Sequence, residues 1–244
     1  MSQEKIPRPP AAQGITYKLD NVVCADMFVI LNGWKEGENF EMFLKCGPQG
    51  SCSAAIMNAL SVLFSYARRS GVPLIAIARL YLRHGGFCGK AGASGKKPCI
   101  TALGELLNTL AVEDDGGMAG MPVTMNGSFR TRFTGCGPMM IFTAEDSTNA
   151  LRYVHVKLAK TNTCAHTITS VVSELISLML EYGVAPEQIV KGIIDIRCPI
   201  ERDGNKSCID GIARAIADFR GNQNYAMDIR PDPPETETDR MNYH

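Results

Sequence analysis

The amino-acid sequence repeats itself at an offset of 112 residues, and this self-similarity constrains the fold more than any other feature. Pairs of identical residues stand at that offset: Cys24 and Cys136, Lys45 and Lys157, Cys52 and Cys164, Gly71 and Gly183, Val72 and Val184, and Ile77 and Ile189. Beyond them the first copy carries about three extra residues, after which Cys99 aligns with Cys208. The pattern predicts two copies of one structural unit, placed in tandem.

The repeat divides the chain into two units and three connecting or terminal segments. The units are expected at residues 14–112 and 127–220, with a glycine-rich linker at 113–126. Residues 1–13 and 221–244 are rich in proline and polar residues, which is typical of disordered tails.

Within each unit the apolar spacing changes from that of strands to that of helices. Strands are predicted at Met27–Leu31 and Phe40–Lys45, with counterparts at Met139–Thr143 and Arg152–Leu158. A long helix is predicted at Cys52–Arg69 that ends before Gly71, and its counterpart in the second unit ends before Gly183. Shorter helices follow in each unit, at 74–82 and 99–110 in the first and at 186–194 and 208–220 in the second. We therefore expect an α+β protein of two units, each a small antiparallel sheet followed by three helices. A pseudo-twofold axis would relate the units and allow their strands to join.

Composition limits the classes of partner and location. The formal net charge is zero, so no global signal favours DNA or an anionic membrane. No apolar run approaches the roughly 18 residues that a membrane-spanning helix needs, and the N-terminus lacks an apolar signal region. A cytoplasmic protein, monomeric or homodimeric, is expected.

Nine cysteines need an explanation in a reducing compartment, where metal binding or redox chemistry is commoner than structural disulfides. Each unit holds four at corresponding places, and Cys46 is left over: Cys24, Cys52, Cys88 and Cys99 in the first unit, and Cys136, Cys164, Cys198 and Cys208 in the second. Four thiolates suit tetrahedral zinc, and an iron–sulfur cluster is the second choice. The alternative is that these thiols are small buried apolar groups.

Four motifs of the second unit resemble the TSCPD domain, which is found at or near the C-terminus of adenosylcobalamin-dependent ribonucleotide reductases and as small stand-alone proteins. The motifs are "TGCG" at 134–137, "NTC" at 162–164, "GIIDIRCP" at 192–199 and "SCIDGIARAI" at 207–216. Gly211 stands where the family pattern has alanine. The first unit resembles a diverged copy, with Thr101 in place of Asp210, and is also similar to the small separate chain of split cobalamin-dependent reductases.

This resemblance implies a link to ribonucleotide reduction, although not catalysis by this chain alone. Reductase chemistry uses a thiyl radical inside a large barrel, for which the chain is too short, and the tail lacks a cysteine. We predict a non-catalytic accessory protein that contacts the catalytic subunit. The alternatives are a free-standing nucleotide-binding or nucleotide-sequestering module, such as one of a mobile element, and a hydrolase or thiol enzyme centred on Cys46 or Cys88.

A basic, glycine-rich loop precedes the third helix of the first unit, but its spacing does not match a P-loop. Lysines and arginines near this helix start, and at the matching place in the second unit, are candidate phosphate ligands: Lys90, Lys96, Lys97, Arg197, Arg202 and Lys206. The alternative is a solvated basic loop.

Overall fold

The computed structural model describes residues 6–20, 22–23, 26–34, 40–46, 52–86, 95–111, 126–158, 164–202 and 204–224; for residues 52, 53, 126, 164 and 220–224 it describes the backbone alone. The first unit contains β1 (Gln13–Leu19), β2 (Met27–Gly33), β3 (Glu41–Cys46), α1 (Cys52–Arg69), α2 (Leu74–His84) and α3 (Cys99–Leu110). The second contains β4 (Asn126–Thr134), β5 (Gly137–Glu145), β6 (Leu151–Leu158), α4 (Cys164–Glu181), α5 (Pro186–Ile193) and α6 (Cys208–Asn224). The predicted α+β class, with a sheet and then three helices in each unit, is confirmed.

Each unit has its own three-stranded antiparallel sheet, in the orders β1-β2-β3 and β4-β5-β6. The two sheets share a register, because Met27 pairs with Cys46 just as Met139 pairs with Leu158. The expectation that strands of the two units join is wrong for the described strands. The units instead meet through their helices.

Serines of the long helices protect one edge of each sheet. The Ser65 hydroxyl accepts a hydrogen bond from the Met42 amide at 3.1 Å, and the Ser177 hydroxyl accepts one from the Val154 amide at 3.0 Å. Both the serines and the strand residues stand 112 positions apart, so the same hydrogen bond occurs at the same place in each unit. Covering a strand edge in this way removes a site for unwanted strand pairing.

The ends of the long helices also repeat. Gly71 and Gly183 have φ values of 86° and 79°, in the left-handed region that glycine adopts without steric cost. In each unit the amide of the next residue donates a hydrogen bond back to the helix. The Val72 amide donates to the Ala67 carbonyl at 3.0 Å, and the Val184 amide donates to the Met179 carbonyl at 2.9 Å. The predicted glycine stops are confirmed as Schellman-type ends.

The two units pack on each other through equivalent elements. Helix α1 lies against α4, its counterpart; α1 also contacts α5, and α4 contacts α2 in the reciprocal way. Such reciprocity is the signature of an isologous, twofold interface. At Gly192 on α5 an added Cβ would lie 3.2 Å from Val62 Cγ1 on α1, so the absence of a side chain lets these helices approach closely. One hydrophobic core runs through both units.

The segment ahead of β1 lies on the first unit. The Ile6 amide donates to the Arg69 carbonyl at 2.9 Å, the Arg69 guanidinium donates back to the Ile6 carbonyl, and Arg8 pairs with the buried Glu41 at 2.8 Å. The tail at 225–244 and the linker at 113–125 lie outside the described residues. Among the helices that are described, none combines the length and apolar character needed to cross a bilayer.

Replacing Ser177 by alanine should destabilise the chain by about 1–3 kcal/mol, because the buried Val154 amide loses its hydrogen-bond acceptor. Ser170→Ala is the matched control on the same helix, since its hydroxyl bonds only the His166 carbonyl; it should change stability by less than about 0.5 kcal/mol. Urea unfolding measures both. Equal effects of the two substitutions would contradict the edge-protecting role.

Candidate functional site

A buried carboxylate organises the loop between α5 and α6. Asp210, in the first turn of α6, is 0% exposed and accepts hydrogen bonds from the Asp195 amide at 2.8 Å and the Lys206 amide at 2.9 Å. The Arg214 guanidinium, one turn further along α6, donates to the same carboxylate at 2.8 Å. Because a buried carboxylate needs such donors, Asp210 holds both ends of the 195–206 loop against α6.

Ser207 caps α6 and extends this arrangement. Its hydroxyl accepts a hydrogen bond from the Asp210 amide at 3.0 Å and donates to the Ile196 carbonyl at 2.6 Å. In a capping box the acidic side chain would bond the amide of the cap residue itself. Here the Asp210 carboxylate bonds the amide of Lys206, one residue earlier, and so reaches into the loop.

The loop contains a strained residue held by charge. Asp195 has a φ of 63°, in the left-handed region that side chains other than glycine adopt rarely. Its carboxylate contacts the Lys206 ammonium at 2.5 Å and the Arg214 guanidinium at 3.3 Å. The hydrogen bond from Lys206 is the main cause that holds the pKa of Asp195 below its ordinary value.

The same loop packs on the turn between β4 and β5. The Asn205 side-chain amide donates to the Phe133 carbonyl at 2.9 Å. Gly135 sits so close to the loop that an added Cβ would lie 2.3 Å from the Ile200 carbonyl oxygen, which explains the glycine in the "TGCG" motif. The turn and the start of α6 are thereby brought together.

Two thiols meet at this junction. The Cys208 sulfur, in a side chain only 2% exposed at the start of α6, lies 3.2 Å from the Thr134 hydroxyl and within hydrogen-bonding reach of the half-buried Cys136 thiol. The hydrogen bond from Cys136 is the largest cause that lowers the pKa of Cys208 to about 7; Thr134 and the amides of Cys136 and Cys208 add to it, and burial opposes it. The pair therefore favours a thiolate near neutral pH.

The other two cysteines predicted for this site are placed differently. Cys198 lies on the same loop and is 9% exposed, but its thiol donates to the Ile200 carbonyl at 3.1 Å. The backbone of Cys164 begins α4, and its side chain lies outside the described residues. Of the four predicted thiols, the structure shows two, Cys136 and Cys208, in contact.

The first unit lacks the buried carboxylate. Thr101 occupies the place of Asp210, and its buried hydroxyl makes no hydrogen bond to any residue that the structure describes. Cys99 is buried at the start of α3, and Cys46 is buried on β3. Cys24, Cys88 and the side chain of Cys52 lie outside the described residues.

The described side chains do not complete a metal site. No group of three or more histidine, cysteine, aspartate or glutamate side chains within the described ranges is placed to hold a metal ion. The pair of Cys136 and Cys208 fits two thiolate ligands, and the predicted metal sites stay predictions.

The predicted phosphate ligands that are described sit largely among intramolecular partners. Lys97 pairs with Glu105 at 2.7 Å, Lys206 with Asp195, and Arg197 with Glu201 at 3.9 Å, while Arg202 lies over the Phe133 ring at 5.6 Å. Lys96 also takes part in an interaction, and Lys90 lies outside the described residues. Phosphate binding stays a prediction.

Sequence reasoning missed the central part played by Asp210 and the contact of Thr134 with Cys208. One signal was present: Asp210 interrupts the apolar face of α6, where its neighbours Ile209, Ile212 and Ala213 are all buried. An acid on such a face must have several donors, whose identity the sequence does not reveal.

Replacing Asp210 by asparagine should lower the free energy of unfolding by about 2 kcal/mol, because charge-assisted bonds to two amides and Arg214 are lost from a buried position. Asp195→Asn is the control in the same network. Its side chain is 57% exposed, so its ion pairs are screened and the unfolding midpoint should move far less. A larger effect from Asp195→Asn would contradict the assignment of Asp210 as the anchor.

The reduced, metal-free chain should show a thiolate titration step near pH 7, seen as a rise in thiolate ultraviolet absorbance. The step should vanish in Cys208→Ser and persist in Cys198→Ser, whose thiol bonds a carbonyl instead. An unchanged step in Cys208→Ser would show that another thiol titrates there.

Comparison with known proteins bears on this unit. Residues 121–220 match the family model of the TSCPD domain. Searches of curated proteins and of solved structures each returned no match. The matched range contains the Asp210 anchor, the thiol pair and all four motifs, whereas descent of the first unit from the same ancestor stays a prediction. The second unit of this chain therefore lies within the part that is similar to the TSCPD domain.

Proposed function

We propose that this chain is a non-catalytic accessory protein of the cobalamin-dependent ribonucleotide reductase system, which contacts the catalytic subunit through its second unit. The observation that carries the proposal is the TSCPD match over residues 121–220. The TSCPD family is associated with ribonucleotide reductases, and an accessory role fits that association. The first unit would act as the structural partner of the second, since the two share one core.

The architecture supports a non-catalytic role. Radical-based nucleotide reduction takes place in the enclosed interior of a large barrel. The strands that are described form two three-stranded sheets, against which α1 and α4 pack, and this arrangement differs from such a barrel. The proposal therefore assigns the chain to binding and positioning a partner.

The proposal includes a thiolate-bound metal, zinc in preference to an iron–sulfur cluster. Cys136 and Cys208 would supply two ligands of the second unit, with Cys164 and Cys198 as the remaining candidates. Cys198 would have to give up its hydrogen bond to the Ile200 carbonyl. Bound zinc would tie the β4–β5 turn to α6. The corresponding first-unit ligands are Cys24, Cys52, Cys88 and Cys99.

One observation favours the second candidate, a nucleotide-binding or nucleotide-sequestering module. Arg197 projects from the loop beside the start of α6 with a side chain that is 70% exposed, and its ion pair with Glu201 is long. Such a pair contributes little energy and would yield readily to a phosphate group. A nucleotide held there would engage Arg197 first, with Arg202 and Lys206 nearby on the loop.

Affinity capture from native lysate tests the proposal. The tagged full-length chain should enrich a cobalamin-dependent reductase catalytic subunit, identified by mass spectrometry. Asp195→Asn should capture as well as the unmodified chain. Asp210→Asn should capture less, because it loosens the loop on which the TSCPD motifs lie.

Elemental and small-molecule analysis of the same eluate separates the alternatives. Thiolate metal is expected at up to about two equivalents per chain. Metal near zero in anaerobically prepared protein would remove the metal part alone. Tightly held nucleotide without any reductase subunit would overturn the accessory role in favour of the second candidate.

A further inference from the structure

We propose that Cys136 and Cys208 form a redox-active dithiol, which exchanges with an external disulfide and closes into a Cys136–Cys208 disulfide. The proposal goes beyond the accessory role and does not rest on it. It requires only that these two thiols meet at the junction of the β4–β5 turn and α6.

The placement of the two cysteines carries the inference. Cys136 lies in the turn between β4 and β5, and Cys208 begins α6. The Thr134 hydroxyl contacts both residues, because it lies 3.2 Å from the Cys208 sulfur and accepts a hydrogen bond from the Cys136 amide at 3.3 Å. Cysteines that share one hydroxyl in this way need little movement for their sulfurs to join.

Unequal exposure sets the order of events. The Cys136 side chain is half-buried and can be reached from solvent, whereas Cys208 is 2% exposed. An external disulfide therefore meets Cys136 first. Cys208, behind it, is placed to attack the mixed disulfide from the protein side. This division into an entering and a resolving thiol is typical of dithiols that exchange disulfides.

The exchange balances without a further reagent. The Cys136 thiol gives up its proton as its sulfur attacks one sulfur of a disulfide R–S–S–R. This step forms a Cys136–S–S–R bond and releases one thiol RSH, which carries that proton. The Cys208 thiolate then attacks the Cys136 sulfur, which forms the protein disulfide and releases the second RSH. The two cysteines are oxidised, the external disulfide is reduced, and the two protons lost by the cysteines leave on the two RSH molecules.

The surroundings hold the pair in place. Two residues of the 195–206 loop contact the turn that carries Cys136. Asn205 donates a hydrogen bond to the Phe133 carbonyl, and Ile200 lies close to Gly135. Asp210 fixes the same loop to the helix that carries Cys208. A disulfide would close across a junction that is already tied from both sides.

The test uses the full chain, reduced, stripped of metal by a chelator and then incubated with glutathione disulfide. Trypsin separates the relevant thiols, since Cys136, Cys198 and Cys208 fall in different peptides, at residues 133–152, 198–202 and 207–214. Mass spectrometry of the unreduced digest should show the 133–152 and 207–214 peptides joined, with little glutathione on either. Both cysteines remaining as thiols, or glutathione persisting on Cys136, would overturn the proposal.

Single variants test the assigned order. Cys208→Ser should trap a stable glutathione adduct on Cys136, because the resolving thiol is gone. Cys136→Ser should form an adduct on Cys208 about tenfold more slowly, because that thiol is shielded. Cys198→Ser is the matched control and should still form the Cys136–Cys208 disulfide. Faster modification of Cys208 than of Cys136, in variants whose circular dichroism matches the unmodified chain, would contradict the order.

Discussion

The packing of α1 against α4 is the constraint on which the rest of the structure depends. These helices occupy the same position in their respective units, and each packs against two partners. One side carries the serines that cover the edge of the sheet in its own unit, and another side meets the opposite unit. A helix with two apolar sides is stable in water only when both sides are buried. The two units are therefore halves of one hydrophobic core, and the pseudo-twofold arrangement follows from pairing equivalent helices.

Most of the fold could be predicted because the elements that face this core have a clear apolar period. The six helices and the strands β2, β3, β5 and β6 are of this kind. The first strand of each unit was missed. β1 lies at the edge, where even the inward-facing Ile15 is 62% exposed. On β4 the inward positions include Arg130 and Arg132, which pair with Asp218 on α6. β4 therefore does not alternate between apolar and polar residues. β1 does alternate, with Ile15, Tyr17 and Leu19 on the inward face, so this strand could have been predicted from the sequence.

The candidate site was predicted in part. The sequence treats the four second-unit cysteines alike, since each corresponds to a cysteine of the first unit. The structure distinguishes them by what surrounds each thiol: Cys136 and Cys208 contact each other, and Cys198 bonds a carbonyl. Backbone donors decide this arrangement, because the Asp210 carboxylate gathers the amides of Asp195 and Lys206. Nearly every residue has a backbone amide, so residue types do not show which amides bind a carboxylate. The role of Asp210 as the anchor could therefore not be predicted from the sequence. Thr101 stands in the first unit where the second unit has Asp210, so the two units differ in chemistry at this position.

The shared core also connects the thiol pair to the first unit. Cys208 begins α6, which packs on α5, and α5 lies on α1 of the other unit. Access to the buried Cys208 therefore depends on the stability of both units together. The first unit thereby supports the unit that is similar to the TSCPD domain.

The most direct measurement follows the unfolding of each unit within the same denaturant titration. Trp34, the single tryptophan, stacks on Phe40 in the first unit and reports its unfolding by fluorescence. Alkylation of Cys208, read from the 207–214 peptide, reports exposure of the second unit. A single shared core predicts coincident midpoints for the two probes. Alkylation of Cys208 at denaturant concentrations that leave the Trp34 fluorescence native would show two independently folding units and contradict the account.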